Sequence, residues 1–215
     1  MNRPQKKSKR PQLLCILGCE GKNQECLYFN KVQELVNMIE QRTHDLIFDY
    51  AEPFGGDPKC VVERTIKKSI GKTNKASVFD YDGKTKKYEE AIDLAKEHQI
   101  VLGYTNYCFD LWLILHKENY TQTVKSQDGY VNELRKVYGL KKGANIKKKE
   151  QVEKIVEQIS MEDIRFAISN AEKMTSDVKR IPNKTPQGSD YYDNPDTQLH
   201  IMLKGLFQKA GVACL

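Results

Sequence analysis

Four short apolar runs set the strongest limit on how this chain folds: "LLCILG" (13–18), "DLIFDYA" (45–51), "ASVFD" (76–80) and "IVLGYT" (100–105). Runs this short, bounded by turn residues, suit strands buried on both faces. The segments between them have a helical period. Leu27, Val32, Leu35, Val36 and Ile39 recur at helix spacing within 23–42. "DPKCVVERTIKKSI" (57–70) opens on Asp-Pro, a good helix entry with proline in the first turn. "YEEAIDLAKEH" (88–98) supplies a third helix. Strands alternating with helices of this length predict an α/β fold with a mostly parallel sheet of about four strands and helices on both faces.

After the fourth strand the pattern changes. "CFDLWLILH" (108–116) is apolar nearly all round and predicts a buried helix, with Trp112 in the core among leucines. Residues 126–138 and 148–174 are charged, amphipathic and helical. Residues 175–195 have no period, and a loop of that length is uncommon inside a compact domain. A last helix is predicted to open at "NPDTQLH", capped by Asn194 with Pro195 in its first turn. Leu199, Met202, Leu203, Leu206 and Phe207 give that helix a core face. The expected organisation is a basic flexible arm (1–12), an α/β core (13–125) and a helical extension packed on the core (126–215).

Charge is unevenly spread. The chain of 215 residues carries a formal net charge of +6, and Arg3, Lys6, Lys7, Lys9 and Arg10 account for most of it. A second basic stretch, "KKGANIKKK", holds Lys141, Lys142, Lys147, Lys148 and Lys149. Runs of this kind attract phosphate polymers by charge alone. A solvated tail and a solvated helix end are the plainer readings. No apolar run approaches the roughly 18 residues of a membrane span, and "MNRPQKKSKRPQ" lacks the apolar stretch of a secretory signal. The six cysteines (15, 19, 26, 60, 108, 214) complete no zinc pattern and are expected to be free thiols of a cytoplasmic protein.

Carboxylates sit where the strands end. "CEGK" after the first strand brings Glu20 and Lys22, and "DYDG" after the third brings Asp80 and Asp82. In a doubly wound sheet strands one and three are commonly neighbours, and ligands bind at their carboxyl ends. Three carboxylates meeting there cannot all stay ionised without a cation, and hard oxygen donors select Mg²⁺ or Mn²⁺. Taken singly, Asp-x-Asp-Gly also reads as a turn and "EGK" as a polar loop.

The segments "CEGK…YF", "VFDYDG", "TNYCFDLWLILH" and "NPDTQLHIMLKGL", in this order over about residues 13–207, resemble the RloB-like proteins of the wider Toprim group. The resemblance implies a Toprim-like (Rossmann-like) core in which Glu20, Asp80 and Asp82 bind metal and carry its chemistry. It also implies a nuclease of bacterial antiphage or abortive-infection systems, working with an ATPase encoded nearby. Where the family has serine-asparagine-proline and then glutamate, this chain has Thr105, Asn106, Tyr107 and Asp110; aspartate keeps the charge but shortens its reach. Asn106, Asp110 and His116 are possible accessory residues, and a helix-end histidine capping carbonyls is the plainer role for His116.

The reading is therefore a Mg²⁺- or Mn²⁺-dependent nuclease acting on DNA or RNA. Lys22 would hold a phosphate oxygen, Glu20 would act as general base, and the two basic stretches would follow the backbone. One alternative is a non-catalytic module binding an ATPase or nucleic acid. A phosphatase of the haloacid dehalogenase type is another, although that family wants its aspartate pair after the first strand.

Overall fold

The computed structural model describes residues 10–81, 85–122, 126–176 and 196–213. Five strands form one sheet: β1 (Gln12–Cys19), β2 (Asp45–Tyr50), β3 (Lys75–Asp80), β4 (Val101–Asn106) and β5 (Asp196–Thr197). The order is β2-β1-β3-β4-β5. The first four are parallel, and β5 runs antiparallel to β4 through the pairs Thr105–Thr197 and Asn106–Asp196. The expected α/β sheet is present, with β5 added at its edge.

Side chains on β3 alternate between two cores. Phe79, with Tyr81 beyond it, packs with Val61 and Val62 of α2 (Pro58–Lys68) and with Tyr88, Ala91 and Ala95 of α3 (Thr85–Glu97). Ala76 and Val78 join the larger core with Leu13, Cys15, Leu17 and Cys19 of β1. This period-two pattern is what a strand sandwiched between helix layers requires. The larger core also takes residues of α1 (Gln24–Met38), α4 (Asp110–Leu115), α5 (Gln127–Val137), α6 (Lys149–Glu157), α7 (Met161–Ser176) and α8 (Leu199–Ala210). The helices after β4 thus share one apolar cluster with the sheet. Gly103 lets α8 lie close to the sheet, because a Cβ there would stand 2.8 Å from Leu199 and 3.1 Å from the Met202 sulfur.

Local signals account for most boundaries. Asp57 caps α2 by accepting the Cys60 N–H at 3.0 Å, with Pro58 following at the first turn. Residues 148–174 form two helices rather than one. The break falls at Ser160, whose hydroxyl accepts the Asp163 N–H at 3.2 Å while the Asp163 carboxylate accepts the Ser160 N–H at 2.8 Å. That reciprocal pair is a capping box, and it opens α7. The last helix also starts later than expected. Asp196 and Thr197 are extended, the Thr197 hydroxyl accepts the Leu199 N–H at 3.3 Å, and α8 begins at Leu199. Asn194 and Pro195 lie outside the described residues, as do Arg3, Lys6, Lys7, Lys9, Asp82 and 177–195 of the long loop.

Cys15, Cys19, Cys26, Cys60 and Cys108 are free thiols. Among the described residues, no helix is long and apolar enough to cross a membrane.

Candidate functional site

The strand order reverses between β1 and β3, and Glu20 and Asp80 stand at that switch point. Hydrogen bonds through its backbone and its carboxylate hold Glu20. Its N–H donates to the Val78 carbonyl at 3.1 Å, and its carbonyl accepts the Gly55 N–H at 2.8 Å. Its carboxylate Oε2 accepts the Asp80 N–H at 3.1 Å. The loop after β1 is thereby tied both to β3 and to the loop after β2. Lys22 is exposed two residues on, and Glu20 and Lys22 line an open cleft of about 530 Å³ with Glu52, Pro53, Phe54 and Gly55.

Glu25, in the first turn of α1, is 4% exposed, and its Oε1 accepts the Gly21 N–H at 3.0 Å. Burial pushes its carboxyl up to about 7; the backbone N–H groups and Lys147 pull the other way, and the Glu20 charge adds to the rise. Gly21 leaves the space for this contact, since a Cβ there would meet Glu25 Oε2 at 2.1 Å.

Asp110, the first residue of α4, is 1% exposed and accepts from Gln24 Nε2 at 2.5 Å. Its Oδ2 has no nitrogen or oxygen donor among the described residues. Burial raises its pKa, opposed by the Gln24 bond, the Lys147 charge and the Cys108 thiol beside it. Asn106 closes β4, nearly buried, and its carbonyl accepts from the Tyr130 hydroxyl at 3.2 Å. His116 lies elsewhere, in the apolar core. Its Nδ1 meets the Trp112 carbonyl at 2.8 Å, its Nε2 meets the Tyr28 hydroxyl at 3.2 Å, and burial lowers its pKa to about 4.

The basic stretch after α5 comes back across the start of α1. Asn23 Nδ2 donates to the Lys147 carbonyl at 3.4 Å, and buried Ile146 anchors the loop. Lys141, Lys142, Lys147, Lys148 and Lys149 are all exposed, and the Lys147 charge acts on both Glu25 and Asp110. The fold thus gathers Glu20, Lys22 and Asp80, with Asp110 and Lys147 close by; Arg10 lies apart, bonded to the Glu40 carbonyl at 2.8 Å.

Sequence reasoning missed Gln24 and Glu25. An acid in the first turn of a helix just after a strand-end loop is a signal for Glu25. Gln24 carries none, because its partner is 86 residues away. As for a metal, Glu20 and Asp80 offer hard oxygen donors at adjacent strand ends, which suits Mg²⁺ or Mn²⁺. Among the described residues no cluster of three or more Asp, Glu, His or Cys side chains is set to hold an ion.

A family model for RloB-like proteins matches residues 15–206. No curated protein and no solved structure matches the chain.

Proposed function

The chain belongs to the RloB-like family, and on that premise we propose that it is a Mg²⁺- or Mn²⁺-dependent nuclease, acting in bacterial antiphage defence beside an ATPase partner. One observation carries this reading: the Glu20 carboxylate meets the Asp80 backbone where β1 and β3 end, at the reversal of strand order. Open α/β sheets bind ligands at that place.

Glu20 and Asp80 would hold the ion, and Asp82 would join them by the family resemblance. The ion, when bound, supplies charge stabilisation for a phosphodiester. The remaining work falls to this chain's own side chains. Lys22, on the cleft wall, holds a phosphate oxygen as a point charge. Glu20 accepts the proton of the attacking hydroxyl or water. The exposed lysines of 141–149 follow the backbone without reading sequence.

The test is incubation with labelled tRNA, single-stranded DNA and duplex DNA, in Mg²⁺, Mn²⁺ or chelator, with and without the neighbouring ATPase. Cleavage is expected with metal and not with chelator, and Asp80→Asn should lower it by at least about a hundredfold. An intact substrate in every arm returns the chain to a non-catalytic module, and an Asp80→Asn variant cutting at the parental rate removes Asp80 from the site.

A further inference from the structure

The cleft beside Glu20 has a floor that phosphate chemistry alone does not need. Phe48, Tyr50 and Phe54 form a ring ladder out of the core, with centroids 6.5 Å and then 6.2 Å apart. Phe54, the outermost ring, is half-buried and lines the cleft together with Lys22 and Glu52. The loop carrying it is held on both sides. Gly55 donates its N–H to the Glu20 carbonyl at 2.8 Å, and Arg64 donates to the Gly55 carbonyl at 2.5 Å. Gly55 and Gly56 have φ of +92° and +94°, a conformation that favours glycine and turns the chain back toward α2. An aromatic side chain therefore lines the same open cleft as Glu20, a space of about 530 Å³.

We infer that this cleft receives one unpaired base of a single-stranded nucleic acid, with Phe54 as its stacking surface and Lys22 on the adjoining phosphate. The inference rests on the nuclease reading and names the substrate class for the same site. A base inside a duplex has both faces covered and offers only its edges. An unpaired base offers a π-face to an aromatic ring, and every base has one. Glu52 on the cleft wall accepts from an exocyclic amino group, which a phosphate alone would not engage. Ring, cation and carboxylate lining one cleft match base, phosphate and base edge of a single nucleotide.

Binding in chelator tests this apart from cleavage. Fluorescence anisotropy is measured with fluorescein-labelled 12-nucleotide single strands of DNA and of RNA and with a 12-base-pair duplex. Phe54→Leu keeps apolar bulk without an aromatic face, and Phe54→Trp enlarges the face. Phe54→Leu is expected to weaken single-strand binding about tenfold and to leave duplex binding unchanged, with Phe54→Trp binding as tightly as the parent or more so. Comparable circular dichroism and thermal midpoints confine the comparison to folded protein. Parental affinity in Phe54→Leu overturns the inference, as does an equal loss on duplex or a Phe54→Trp variant as weak as Phe54→Leu; an aromatic side chain of a protein partner is then the better occupant. The outcome is separable from the nuclease reading, which falls only if nothing is cut in any arm of the metal series.

Discussion

The amide of Gln24 and the carboxyl of Asp110 meet at 2.5 Å, joining the first turn of α1 to the first residue of α4. Both groups are buried, and the other oxygen of Asp110 has no nitrogen or oxygen donor among the described residues. The Gln24 amide is thus a principal stabiliser of a carboxyl that burial already disfavours. Gln24→Leu should destabilise the fold by about 1–3 kcal/mol, the cost of leaving a buried acceptor unsatisfied. Gln24→Leu combined with Asp110→Leu should recover part of that loss, because two apolar groups need no partner. Urea midpoints at pH 7 decide the matter; a single variant as stable as the parent would show the bond to be inert.

Two buried groups give stability opposite pH slopes over nearly the same window. Glu25 has its folded value raised from 4.5 to about 7, so its contribution is complete below 4.5 and is lost as pH rises toward 7. His116 has its folded value lowered from 6.5 to about 4, so its contribution is complete above 6.5 and is lost as pH falls toward 4. The His116 contribution spans roughly 3 kcal/mol across its window. Glu25→Gln should expose the histidine slope, with the urea midpoint falling on acidification from pH 6.5 to 4.5. His116→Gln should expose the carboxylate slope, with the midpoint rising over the same range; Asp110, also raised by burial, adds to it. Measured in chelator, the change on acidification should be most negative in Glu25→Gln and most positive in His116→Gln, with the parent between them, and a shared slope in all three proteins would remove these groups as its cause.

The legible parts of the chain are those whose signal is local. The parallel strands show as apolar runs because both faces are buried, and the Asp57-Pro58 entry to α2 is written in two residues. The break at Ser160 is also local, a Ser-x-x-Asp box hidden within a continuous amphipathic period. β5 is not legible, since two residues become a strand only by pairing with Thr105 and Asn106. The site divides in the same way. Glu20 and Asp80 follow from the strand-end rule, as the bond between them reflects. The placement of Lys147 beside α1 depends on a hydrogen bond across 124 residues, which no periodicity encodes.

Gly18 measures how tightly α2 lies on β1. A Cβ there would stand 2.1 Å from Thr65 Oγ1 and 3.1 Å from the Val61 carbonyl. The Thr65 hydroxyl cannot move freely, because it donates to that carbonyl at 2.9 Å and accepts from Ser77 at 2.9 Å. Gly18→Ala should cost about 1–3 kcal/mol by overpacking. Adding Thr65→Ala should cost less than the sum of the two single changes, since it vacates the space the methyl needs. Strict additivity in a double-mutant cycle would place the strain elsewhere.

The five exposed lysines of 141–149 should separate into two kinds. Lys148 and Lys149 lie at the start of α6, and their expected role is with phosphates of the backbone alone. Replacing either by alanine should weaken nucleic-acid binding for every sequence and flatten the salt dependence by about 0.7–0.9 log units per decade for each phosphate no longer neutralised. At saturating substrate their cleavage rates should match the parent. Lys147 is different because Asn23 holds its backbone against the start of α1 and its charge acts on Glu25 and Asp110. Lys147→Ala should flatten the salt slope and also lower the rate at saturation by about tenfold, the effect of removing a positioned cation near developing negative charge. Lys147→Arg should restore the salt slope and part of the rate. A full rate at saturation in Lys147→Ala would make Lys147 an ordinary backbone-binding lysine like its neighbours.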